Sequence, residues 1–171
     1  VVDLVEESEN VAHFNIEKID SYLIIDRNKF YDEFSEDEYI QFVKELLEIL
    51  DELNQNQILH RDITPRNIFV KEKHPVLIDF GWAKKYDEDF YTPQGLGEDF
   101  APGDGQHNDI YSMGCVIDYL DSKFNRFSNL SAKMKEYLTE NDTGNIEQLF
   151  DIFENELKIE GDNVFEEKVS I

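Results

Sequence analysis

Cations, cysteine and long apolar runs are scarce in this 171-residue chain, and each scarcity excludes something. Lys and Arg number 16 against 39 Asp and Glu, a formal net charge of -23. A field of that sign repels nucleic acid phosphates and anionic membrane faces. It also repels a nucleotide triphosphate, unless divalent metal and local cations offset it. Solubility is the first reading of this acidity, and a cationic partner or substrate the second. The single cysteine, Cys115, excludes an intrachain disulfide and a thiolate metal cluster, and it fits a reducing, cytoplasmic setting. No stretch approaches the ~18 apolar residues of a transmembrane helix. Residues 1–10 lack the basic start of a signal peptide.

What is present is core material. Apolar residues make up 40% of the chain, with 13 Phe and 8 Tyr, enough for one globular domain or the larger part of one. The runs 1–7 and 11–17 are rich in β-formers and read as an antiparallel pair. Residues 22–25 (YLII) have an extended character, and the rest of 20–31 is ambiguous. Ser35 followed by Glu38 forms a capping-box pattern. Behind it, Ile40, Val43, Leu47 and Leu50 recur at helical spacing, as do Phe42, Leu46, Ile49 and Leu53. Together they predict a helix buried on more than one side. Residues 68–70 and 76–79 read as short strands of a hairpin around KEKHP. Residues 80–108 read as one long polar loop, a length that usually serves function. Helices are expected over 109–120, 129–139 and 145–158.

The chemistry gathers around the hairpin. His60-Arg61-Asp62 follows the long helix, and Asn67 opens the next strand. Asp79 ends the partner strand and is followed by Phe80-Gly81, the glycine giving the backbone freedom. Antiparallel pairing would bring Asn67 near Asp79. An amide oxygen and a carboxylate converging in this way make a hard-oxygen site suited to Mg²⁺, with substrate phosphates completing the shell. Asp62 would lie outside that pair, able to accept a hydroxyl proton. Such a set suits phosphoryl transfer. Arg61 would pair with a carboxylate or support the loop. Singly, HRD, Asn67 and DFG each have an ordinary reading as turn residues; their order and spacing carry the signal.

In this order, LHRDITPRNIFV, VLIDFG and DIYSMGCV resemble the catalytic lobe of the protein kinase superfamily. The resemblance implies an α+β, protein-kinase-like fold: a mainly helical C-lobe with the last strands of the N-lobe. Residues 1–19 would then be the last small-lobe strands and hinge, and 20–171 the C-lobe. The catalytic loop would be 60–67, the DFG 79–81 and the activation segment 79–103. Asp62 would be the catalytic base, organised by His60 and Arg61. Asn67 and Asp79 would hold Mg²⁺. The backbone of Glu17, Lys18 and Ile19 would meet the adenine of ATP, with Phe14 or Asn15 behind it and Ile68 and Val70 as its floor. Asp109 would hold the catalytic loop from beneath. The implied partners are ATP and a hydroxyl-bearing acceptor, protein or glycan.

The pattern has departures. No glycine-rich phosphate loop and no VAIK-like lysine occur, so the missing small-lobe portion is expected upstream of Val1. A pseudokinase or kinase-fold binding module is the competing reading, and a purely acidic interaction domain the third. Thr64 stands where serine/threonine kinases carry lysine, while Arg66 resembles the tyrosine-kinase loop. The segment 79–103 is short, holds one threonine (Thr92), and ends Ala101-Pro102-Gly103 in place of Ala-Pro-Glu. IDFGWA and TPQGLGEDFAPGDG resemble kinase modules attached to bacterial surface-polysaccharide biosynthesis, which would make the acceptor a sugar hydroxyl. Lys84 and Lys85 are candidates for phosphate contact, and Trp82 and Cys115 for packing.

Overall fold

A computed structural model describes residues 2–8, 11–16, 21–89, 91, 96–140 and 142–169. The chain opens with the antiparallel pair β1 (Val2–Ser8) and β2 (Val11–Ile16), whose register shifts between Leu4 and Glu6. The expected hinge residues Glu17, Lys18 and Ile19 lie outside the described residues.

A three-stranded sheet follows, ordered β3-β5-β6, from Tyr22–Leu23, Ile68–Lys71 and His74–Leu77. The β5–β6 turn is tighter than KEKHP suggests. It is made by Glu72 and Lys73, both at positive φ (51° and 74°). His74 and Pro75 therefore belong to β6. Pro75 is tolerated because β6 is an edge strand. The strand ends at Leu77, which leaves Ile78 and Asp79 beyond the ladder.

The ambiguous stretch holds a helix, α1 (Arg27–Glu33), capped by the Asp26 side chain accepting from the Lys29 N–H. Only Phe30 of α1 is buried, too few apolar positions for a period to register. The expected long helix is α2 (Glu36–Gln55), and its Ser35–Glu38 capping box is formed in both directions. Tyr39, Phe42, Val43, Leu46, Leu47, Leu50 and Leu53 line its buried side. Aromatic rings weld its start to the body: Phe30 stacks on Phe34 at 4.0 Å, and Tyr39 stacks on Phe124 at 4.3 Å.

Residues 80–108 are more structured than one loop. Phe80–Trp82 and Glu98–Phe100 form single 3-10 turns. Strand β7 (Lys84–Lys85) pairs antiparallel with β4 (Ile58–Leu59). Two-residue strands carry no period, so neither was legible. The central helix α3 (Asp109–Asp121) buries Ile110, Met113, Val116, Ile117 and Leu120. Helix α4 (Ser128–Met134) stops short of the expected residue 139, and α5 (Ile146–Val169) runs well past 158. No helix among the described residues is long and apolar enough to cross a membrane.

Gly114 lets α3 and α4 approach closely. A Cβ there would lie 2.7 Å from the Met134 Cβ and 3.2 Å from the Ser131 carbonyl oxygen. Overpacking of this kind costs about 1–3 kcal/mol. That exceeds the helix-propensity gain of up to ~1 kcal/mol from replacing glycine with alanine. Gly114→Ala should therefore lower the denaturation midpoint; an unchanged or raised midpoint in a urea titration would contradict this packing.

Candidate active site

One buried carboxylate sets the loop between β4 and β5. Asp109, the first residue of α3, accepts hydrogen bonds from the backbone N–H of His60 (2.6 Å) and of Arg61 (2.8 Å). Arg61 is left-handed, with φ at 71°. A non-glycine residue holds that conformation only where its surroundings over-determine it. The two bonds to Asp109 do so. Burial raises the Asp109 carboxyl above its ordinary range, and the two N–H donors work against that shift.

His60 is fully buried and ties three segments together. Its Nε2 bonds the Ile78 carbonyl at 2.9 Å, so that nitrogen carries the proton. Its Nδ1 then accepts from the Asp62 N–H at 3.3 Å. The Phe80 ring meets the imidazole edge-on at 4.7 Å. The histidine thus spans the gap between the catalytic-loop residues and the Asp79-Phe80-Gly81 turn.

Asn67 faces Asp62. Its Nδ2 donates to the Asp62 carbonyl (2.8 Å) and to Asp62 Oδ2 (2.7 Å). With the amide hydrogens turned to Asp62, Oδ1 is the atom left to offer a cation. The Asn67 carbonyl accepts from the Ile78 N–H (2.9 Å), just beyond the β5–β6 ladder and next to Asp79 in the chain. Asp79 is also left-handed, φ 61°, and its side chain accepts from the Gly81 N–H at 3.3 Å. Burial pushes the Asp62 carboxyl above its ordinary range, and the Asp79 charge adds to this. The Asn67 hydrogen bond, His60 and Arg66 oppose it. The Asp62 and Asp79 carboxylates with the Asn67 amide oxygen are hard-oxygen donors of the kind that suit a divalent cation.

Arg61 finds its carboxylate in Glu140, at 3.3 Å, and donates to the carbonyls of Trp82 and Tyr91, each at 3.4 Å. Lys84 is committed to the same Glu140 at 2.8 Å. Thr64 is buried, and its γ-methyl would lie 3.8 Å from a Cβ on Gly97. Gly97, at φ 62°, comes so close to the 60–67 loop that a Cβ would stand 3.2 Å from Asp62 Oδ1. Gly103 sits at φ 98°, a conformation that excludes the glutamate expected there.

Of the residues expected as the adenine floor, Ile68 is fully buried in the core and Val70 nearly so. Strand alternation turns Phe69 to the opposite face. The register aligns it with Leu23 on β3 and Val76 on β6, and all three are half-buried. Period-2 alternation from Asn67 held this signal. Phe14 and Asn15 lie on β2.

Comparison with known proteins agrees with this geometry. The family model described as "Protein kinase domain" matches residues 2–170. Mitogen-activated protein kinase kinase kinase A of Dictyostelium discoideum is 38% identical over 94 residues, 49% of this chain and 10% of that protein. Mitogen-activated protein kinase kinase kinase 8 of Rattus norvegicus is 32% identical over 94 residues, 50% of this chain and 20% of that protein. Serine/threonine-protein kinase PknB of Mycobacterium leprae is 32% identical over 90 residues, 46% of this chain and 14% of that protein. The aligned part is therefore a fifth or less of each of these relatives. With the loop, the Asp79 turn and the central helix in this arrangement, and a family model spanning almost its whole length, the chain belongs to the protein kinase domain family.

Proposed function

We propose that this chain carries the catalytic lobe of an ATP- and Mg²⁺-dependent phosphotransferase whose acceptor is a hydroxyl. The observation that carries this reading is the Asp62–Asn67–Asp79 group. Asp62 Oδ2 is held at 2.7 Å by Asn67, while Asn67 Oδ1 and the Asp79 carboxylate remain for metal. In the reaction the acceptor oxygen forms a bond to the γ-phosphorus. The bond from that phosphorus to the β–γ bridging oxygen breaks, and ADP leaves. The acceptor proton passes to Asp62. Asn67 and Asp79 would hold Mg²⁺, which would supply charge neutralisation for the phosphates.

The adenine would lie against the hinge backbone at Glu17, Lys18 and Ile19, above a floor of Leu23, Phe69 and Val76. The favoured acceptor is a protein serine or threonine, because the relatives include serine/threonine-protein kinases by name. A sugar hydroxyl is the second acceptor to test, since the segment 79–103 offers a short platform.

The reading is tested by phosphate transfer from radiolabelled ATP by the full-length protein, with peptide and glycan acceptors in parallel. Asp62→Asn should lower turnover by roughly a hundredfold or more, the scale of a lost general base. Mg²⁺-dependent nucleotide binding should survive that change. Nucleotide binding without any transfer by the wild type would favour a kinase-fold binding module. Neither binding nor transfer would end the enzyme reading.

Two further outcomes follow. Since Asp62 is raised, it takes up its proton at a higher pH than an ordinary aspartate. The acid limb of kcat/KM should therefore lie above the ordinary Asp value of ~3.9. Gly97→Ala should lower kcat by on the order of tenfold through displacement of Asp62, leaving nucleotide affinity nearly unchanged. Full turnover in that variant would show that the close approach does not matter.

A further inference from the structure

We propose that Glu140, far from the catalytic loop in sequence, is a positioning residue for Asp62. It acts as a built-in counter-charge that clamps the catalytic loop to the segment following Asp79. The inference rests on the phosphotransferase reading above.

Three separate stretches of chain meet at this carboxylate. Glu140 Oε1 lies 3.3 Å from Arg61 Nε, and Oε2 lies 2.8 Å from Lys84 Nζ. The side chains of Arg61, Lys84 and Glu140 are 1%, 11% and 27% exposed, so solvent screens the cluster weakly. Two cations face one bridging carboxylate.

Each arm of the clamp is itself anchored. Arg61 adjoins Asp62, and its backbone is fixed by Asp109. Its guanidinium also reaches the Trp82 and Tyr91 carbonyls, at either end of the stretch that contains Lys84. Glu140 is held by its own connection. The Asn108 side chain donates to the carbonyls of Thr139 (2.9 Å) and Asp142 (2.8 Å), on either side of it. Asn108 is the N-cap of α3, and Asp109 is the next residue. The same helix end thus fixes both the loop that offers the carboxylate and the loop that receives it. A surface ion pair has no such framework, and its two side chains would have to be ordered for the contact alone.

The consequence concerns reaction geometry. Arg61 is left-handed, so movement of its side chain acts on a strained residue directly before Asp62. With Glu140 in place, the loop and the 82–91 segment are braced from within the chain. Glu140 touches no reacting atom in this account, so its loss should appear in kcat and not in ATP affinity.

The test compares full-length wild type with Glu140→Gln, Glu140→Asp and Lys84→Met. Hydrogen–deuterium exchange is read on peptides covering 58–67 and 82–91, alongside steady-state kinetics and a thermal melt. Glu140→Gln keeps the shape and removes the charge. It should speed exchange in both peptides and cut kcat by on the order of ten- to a hundredfold, with the KM for ATP within about twofold. Glu140→Asp should recover part of both effects. Lys84→Met should loosen 82–91 more than 58–67. Unchanged exchange in Glu140→Gln would overturn the clamp. So would faster exchange spread evenly over the whole chain, or a kcat loss that the Asp variant does not relieve. If wild type transfers no phosphate to any acceptor, the functional reading fails, and the localised exchange alone decides whether the clamp exists.

Discussion

Asp109 accepts the backbone N–H groups of His60 and Arg61 from the first turn of the central helix, and the site depends on that contact. Without it, two buried donors would be orphaned, at about 1–3 kcal/mol each. Arg61 would also lose the restraint that keeps it left-handed. The contact works because α3 is itself anchored: its apolar residues are buried in the main core, and Asn108 caps it while bonding the Thr139 and Asp142 carbonyls. A carboxylate at a helix start is also favoured by the unpaired N–H groups there. The 60–67 loop thus hangs from a helix buried in the main core.

From that anchor the geometry spreads outward through short bonds. His60 bridges to Ile78, Asn67 fastens Asp62, and the β5–β6 hairpin brings up Asp79. His60 and Asn67 are buried and Asp62 is half-buried, and their polar groups satisfy one another, while Asp79 is exposed. Strain gathers at the same place. Arg61 and Asp79 both occupy left-handed backbone, at the two positions flanking the proposed chemistry. Gly97 leans on Asp62 from a third direction. Rigidity here is local and paid for by the packing beneath it.

The legible parts were those with a repeated local signal. The capping box at Ser35 and Glu38 and the two apolar stripes behind it marked α2, and its start agrees to the residue. The order of His60-Arg61-Asp62, Asn67 and Asp79-Phe80-Gly81 marked the site, because an unusual sequence motif needs no period. Missed elements were too short to repeat: α1 with one buried residue, and β4 and β7 with two residues each. Alternation along β5 puts Ile68 inside and half-exposes Phe69, a distinction that apolar character alone does not make. Glu140 had no local signal at all. Its role arises from a contact across 79 positions, and in a chain with 39 acidic residues nothing in the sequence singles it out.

The dependence on Asp109 can be measured directly by amide hydrogen exchange at His60 and Arg61. In the wild type both amides should exchange as slowly as the core amides of α3, through global unfolding alone. In Asp109→Ala, which removes both acceptor oxygens, they should exchange orders of magnitude faster than the α3 amides of the same variant. Equal protection of the two amides and α3 in that variant would contradict the account, because the loop would then be held by something other than this carboxylate.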